Sequence, residues 1–146
     1  MTIIPTEIST KLNQLKIQLA SFSEAEDKYS FILARGKKNP QIAEKLLLDP
    51  FLIKGCISRL WLIPKIDDAT AKLSFNAYSE SMIVNGVVAL VLDIVNDQDP
   101  QEILTLSKES LAGVGLIEAL SMNRRNGLSS FLNQIHFYAK KFLDAR

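Results

Sequence analysis

The chain carries one cysteine and one histidine, so its options for nucleophilic and acid–base chemistry are few. Cys56 follows Gly55 at the entrance to a β-prone run, which reads as an exposed turn, and Lys54 and Arg59 lie close enough in sequence to favour a thiolate. A thiol on such a turn can reach another protein's site. A lone cysteine is also commonly a small buried hydrophobe, so from composition alone Cys56 is either inert or reactive. His136 is the other candidate base, but it sits between Ile135 and Phe137 beside an apolar stripe, where a partly buried structural histidine is the ordinary reading. No Asp or Asn completes a Cys–His triad, and no nucleophile-elbow context offers an oxyanion hole. Arg124-Arg125 stands near a helix start, where cations oppose the helix dipole; the pair is either a solvated surface feature or a contact for a partner or anion.

A single cysteine excludes an internal disulfide and, without clustered histidines, an ordinary zinc site. Seventeen Lys and Arg against sixteen Asp and Glu leave a net charge of +1, which gives no field to recruit nucleic acid or an anionic membrane. The 47% hydrophobic and 23% charged content is that of a folded globular chain. A length of 146 residues suits one domain over 1–146, burying about 70% of the surface its unfolded form exposes. The longest apolar stretch, Met82 to Val95, is broken by Asn85 and Asp93 and is too short to span a bilayer. The first residues, MTIIPTEIST, lack the pattern of a secretory signal, so the expected location is the cytoplasm or an equivalent reducing compartment.

Elements able to position Cys56 follow from periodicity. Ile8, Leu12, Leu15 and Leu19 predict a helix over 6–20, and Ser23 with Glu26 predicts a capping box opening a second helix that turns Tyr29, Ile32 and Leu33 inward. Gly36 is placed to close that helix in a left-handed cap. Residues 37–55, with Pro40, Pro50 and Gly55, suggest a helical turn and then an extended approach to Cys56. Strands are expected over 57–63, ended by Pro64, and over 72–77, with Leu73, Phe75 and Ala77 on one face and Asp67-Asp68 between them as a turn. Trp61 and Phe75 read as sheet core. Ser79 is expected to cap a buried helix in which Gly86 permits close packing, and Asp99-Pro100-Gln101-Glu102 marks another helix start. Helices over 107–120 and 126–143 complete the chain, the last with a stripe of Leu128, Phe131, Leu132, Ile135, Ala139 and Phe142. The fold class is α+β: helices flanking one small antiparallel sheet.

Three blocks along this framework resemble the SufE family of sulfur acceptors. Gly55-Cys56-Ile57-Ser58-Arg59-Leu60-Trp61 is similar to the family's G-C-Q-S-x-V-W. Ser79-Glu80-Ser81-Met82-Ile83-Val84-Asn85-Gly86 is similar to D-S-D-A-x-I-V-K-G, and Leu120-Ser121-Met122-Asn123-Arg124-Arg125-Asn126-Gly127-Leu128 to L-x-P-S-R-x-x-G-L. The blocks occur in order at compatible spacings across essentially the whole chain. The resemblance implies a SufE/IscU-like fold with Cys56 as the persulfide acceptor, Arg124 as a cation near it, and Gly55, Ser58, Arg59 and Glu80 as the partner-facing surround. It implies as partner a pyridoxal-phosphate-dependent cysteine desulfurase of the SufS or CsdA kind, with delivery toward an iron–sulfur scaffold such as the SufBCD complex. No cofactor or metal of the chain's own is implied, and no nucleic acid or membrane. Phe51, Ile57, Tyr78 and Asn85 depart from the family pattern, each replacing a polar or charged residue the family usually has there.

Transfer of sulfur from a persulfide to a thiol has the form of thiol–disulfide exchange and needs one cysteine in the acceptor. Such a protein is a co-substrate and activator of the desulfurase and not an enzyme in its own right. The departures leave open a SufE-fold module that docks on a partner and regulates it without carrying sulfur. A thiol peroxidase or hydrolase lacks both a resolving cysteine and an evident base.

Overall fold

A computed structural model describes residues 6–39, 42–53 and 58–145. Among the described residues there are six helices and one two-stranded antiparallel sheet, so the α+β reading holds.

Helix α1 (Glu7–Ala20) is capped by the Thr6 hydroxyl, which accepts from Ser9 N, and it buries Ile8, Leu15 and Leu19. Helix α2 (Ala25–Lys37) starts one residue later than a Ser23–Glu26 capping box requires. Glu24 is the cap residue and makes no side-chain cap bond. Ile32 is buried and Leu33 packs against the core, but Tyr29 is 43% exposed and does not turn inward.

Gly36 is not a left-handed cap either. It lies inside α2, and a Cβ built on it would stand 2.8 Å from Gly86 N, while one built on Gly86 would sit on the Ile32 carbonyl oxygen. The two glycines thus remove side chains where α2 crosses α3 (Met82–Val95), and the backbones touch.

After two short 3-10 turns, Glu44–Leu46 and Asp49–Phe51, the chain enters the sheet region. Strand β1 is Leu60–Ile66 and β2 is Leu73–Ser79, paired from Leu60↔Ser79 to Ile66↔Leu73. Asp67 shapes the turn by accepting from Ala69 N and Thr70 N. Leu73, Phe75 and Ala77 share the buried face as the alternation requires.

Pro64 does not end β1 but pairs with Phe75 inside it. Phe75 gives its N–H and its carbonyl to the side chain of Asn96, so the 64–75 pair is a non-hydrogen-bonded one. The missing proline N–H therefore costs the ladder nothing.

The cap of α3 is Ser81, whose hydroxyl accepts from Val84 N, rather than Ser79; the Ser79 hydroxyl accepts from Ser81 N one step earlier. Asp99 and Pro100 do open a helix, α4 (Pro100–Ile103), though a short one. The stretch expected as helix over 107–120 divides into α5 (Lys108–Gly113) and a 3-10 turn (Ile117–Ala119), separated at Gly115 with φ +89°. Helix α6 (Met122–Asp144) is longer than the periodicity suggested because Ser121 caps it through Arg124 N. Its expected stripe is buried from Leu128 to Ala139, with Phe142 partly so. Helix α3, buried almost all round, packs on α2 and β2, while α6 packs on α4 and β1.

Candidate functional site

Cys56 and Gly55, with Lys54 and Ile57, lie outside the described residues, whereas the chain on either side of them is tied down. On the approach, Leu52 bridges to Trp61, and Ile53 N donates to Leu60 O at 2.8 Å. On the exit, Glu80 N donates to Arg59 O at 3.1 Å. Both limbs are thus fastened to the same end of the hairpin, where β1 begins and β2 ends.

Arg59 and Glu80, 21 residues apart in sequence, meet across this end in a two-point fork: Nε to Oε1 at 2.5 Å and Nη2 to Oε2 at 3.1 Å. Hydrogen bonding from Arg59 holds the Glu80 carboxyl below its ordinary value, and hydrogen bonding to Glu80 holds the guanidinium above its own. The Arg59 guanidinium also lies over the Trp61 ring, 5.2 Å from its centroid. Trp61 is buried, and its ring stands 6.0 Å from that of Tyr78. Its indole N–H makes no hydrogen bond to a described residue. Ser58 is half-buried at the foot of the same limb.

Arg124 is on the first turn of α6 and exposed. No side-chain bond joins it to Ser58, Arg59 or Glu80. The neighbouring Arg125 is the engaged member of the pair, its Nε donating to Leu120 O at 3.0 Å, which turns a cation at a helix start into a clasp on the preceding turn. Helix α6 does reach the approach limb: Ser130, Asn133 and Gln134 face Asp49, Pro50, Leu52 and Ile53 across an open cleft of about 540 Å³. Arg124 lies six residues before Ser130 on that helix, about 9 Å along its axis.

His136 is a structural histidine: its Nε2 donates to Leu106 O at 2.6 Å, tying α6 to the segment after α4. Among the described residues no group of three or more His, Cys, Asp or Glu is placed to hold a metal ion. Likewise, no helix among them is long and apolar enough to cross a membrane.

Sequence reasoning missed what Tyr78 and Asn85 do. Asn85 Oδ1 accepts from Ser79 N at 3.2 Å and its Nδ2 donates to Gly36 O at 3.2 Å, while Asn39 reaches Ala77 O at 2.9 Å beside it. This side chain joins the end of β2 to the end of α2, next to the glycine crossing. The signal was present in the asparagine itself, since an amide satisfies a donor and an acceptor at once where Lys supplies donors alone.

The model of the SufE family, described as an Fe-S metabolism associated domain, matches residues 13–139. The chain therefore belongs to the SufE family. It is 34% identical over 139 residues to an uncharacterized SufE-like protein of Rhizobium meliloti, covering 93% of this chain and 99% of that protein. It is 33% identical over 121 residues to the cysteine desulfuration protein SufE of Wigglesworthia glossinidia brevipalpis, covering 82% of this chain and 83% of the relative. A solution structure of a hypothetical protein from Thermus thermophilus has the same fold, with a TM-score of 0.75 at 17% identity over 97% of this chain and 99% of that one.

Proposed function

We propose that this protein accepts sulfur from a cysteine desulfurase as a persulfide on Cys56 and carries it toward iron–sulfur cluster assembly. The observation that carries the reading is the place of the chain's one cysteine: it stands in the family's acceptor block, in a chain matched to that family over residues 13–139. In the transfer, the Cys56 thiolate attacks the terminal sulfur of the desulfurase persulfide. A new S–S bond forms on Cys56, the old one breaks, and the desulfurase thiolate departs with the electron pair. No metal, oxidant or cofactor enters on the acceptor's side, and pyridoxal phosphate belongs to the partner. Arg124, exposed at the start of α6, is the cation we assign to meet an incoming persulfide or a partner carboxylate. Ser58, Arg59 and Glu80 belong to the surface that surrounds the transfer, with Gly55 preceding the thiol.

Departures from the family pattern gave the docking-only alternative its motive, and two of them have structural uses. Asn85 fastens α2 to β2, and Tyr78 backs Trp61. Desulfurase turnover with and without the protein tests the reading. Cys56→Ser is expected to fold as the parent does and to give no stimulation, because a hydroxyl does not store sulfur. Stimulation equal to the parent's would leave docking alone as the function.

A further inference from the structure

A cleft of about 230 Å³ lies where α5, the 3-10 turn Ile117–Ala119 and the first two turns of α6 converge. Its floor is apolar: Leu111 and Leu128 belong to the core, and Ile117 packs against it. Two cations line it as well, Lys108 from α5 and Arg125 from α6, and neither forms an ion pair among the described residues. The acids nearest them in sequence do not serve. Glu118 is turned to Lys28 on α2 at 3.6 Å, Glu109 lines no part of the cleft, and the first turn of α6 holds no acid. Arg125 is held in place by its Nε, which donates to Leu120 O at 3.0 Å, so the donors on its two Nη atoms remain unspent. An apolar hollow flanked by two uncompensated positive charges is complementary to an apolar group flanked by negative ones.

We propose that this cleft docks a short acidic segment of a partner protein, one apolar side chain filling the hollow while neighbouring carboxylates meet Lys108 and Arg125. Volume sets the size of the anchor. At about 30 Å³ per water in the liquid, the hollow holds roughly eight non-hydrogen atoms, the scale of a phenylalanine side chain. It falls below the range of about 300–1,000 Å³ in which drug-sized molecules bind. Met122 lines the same cleft and is 69% exposed, an adaptable apolar surface that a peptide covers and a ligand confined to the hollow does not. The Asn126 side chain, exposed beside it and without a hydrogen bond to a described residue, is free to meet a peptide backbone. No residue given a part in sulfur transfer lines this cleft, so the docking site stands or falls apart from the acceptor reading.

The test is a titration of the isotope-labelled full chain with the acetylated, amidated pentapeptide DDFDD, followed by amide NMR shifts. DDADD removes the anchor and NNFNN removes the charge. Saturable shifts confined to the amides of residues 108–129 are expected for DDFDD, with each control binding at least about fivefold more weakly. Lys108→Gln and Arg125→Gln are each expected to weaken DDFDD about three- to fivefold, the scale of an exposed ion pair. Lys108 is exposed and bonded to no described residue, so its variant keeps the fold even where loss of the Arg125–Leu120 bond disturbs α6. No saturable shift up to about 5 mM peptide overturns the proposal, as do shifts centred on other residues. Either control binding as tightly as DDFDD overturns it too, since the anchor or the charge would then be idle. Parent-like binding by Lys108→Gln has the same consequence.

Discussion

Two arginine–carboxylate forks of nearly the same geometry occur in this protein, and their surroundings give them different work. Arg35 meets Asp93 between α2 and α3 at 2.7 and 2.6 Å, one residue from Gly36 where those helices already touch. Arg59 meets Glu80 at the open end of the hairpin, where Arg59 O also accepts from Glu80 N. The first reinforces a crossing that close packing has already fixed. The second ties the start of β1 to the end of β2 at the surface, with both side chains partly exposed. An arginine–carboxylate fork thus backs up close helix packing in one place and joins two strand ends in the other.

The sharpest way to break this comparison is at the glycine crossing. Gly86→Ala would drive a methyl into the Ile32 carbonyl oxygen, which backbone cannot yield cheaply. A loss of about 3 kcal/mol, or roughly 10 °C in Tm, is expected. A Tm within about 2 °C of the parent's would mean that α2 and α3 are not locked there. Next in size is Asn85→Ala, which leaves Ser79 N and Gly36 O without their partner. Its expected cost is about 2 kcal/mol with sulfur transfer per folded molecule unchanged. A stable variant with impaired transfer would instead give Asn85 a part in the transfer.

Smaller effects separate the forks themselves. Arg35→Gln is expected to cost about 0.5 kcal/mol, allowing for solvent screening. A loss above about 2 kcal/mol would show that this fork, and not the glycine crossing, holds the two helices. The hairpin fork also has a sign in pH. The folded Glu80 carboxyl titrates below its ordinary 4.5, so its contribution is present above that value and is lost as pH falls through the lowered one. The thermal midpoints of the parent and Glu80→Gln are expected to converge in acid and to differ at neutral pH. A difference that grows on acidification contradicts the pairing.

Much of the scaffold was legible because it obeys a single period. The stripe on α6, the alternation of β2 and the Asp99-Pro100 start are local signals, and each survives folding unchanged in kind. Signals with two physical uses were misread. Gly36 near a helix end suits a left-handed cap and also a close crossing, and only the presence of Gly86 decides between them. Pro64 ends a strand when its missing N–H faces the neighbour and is harmless when it faces away, which depends on the 64–75 register. Of the site, the acceptor block and Glu80 were marked by resemblance, but their joining was not. Arg59 and Glu80 are 21 residues apart and meet because the hairpin register brings β1's start to β2's end.

The acceptor role itself is tested most directly by mass spectrometry of Cys56 after incubation with a cysteine desulfurase and free cysteine, without reductant. The account expects one additional sulfur atom on the Cys56 peptide, removed by a thiol reductant and absent when the desulfurase lacks its catalytic cysteine. A Cys56 peptide that stays at its unmodified mass, in a mixture where the desulfurase carries its own persulfide and binds the protein, would contradict it.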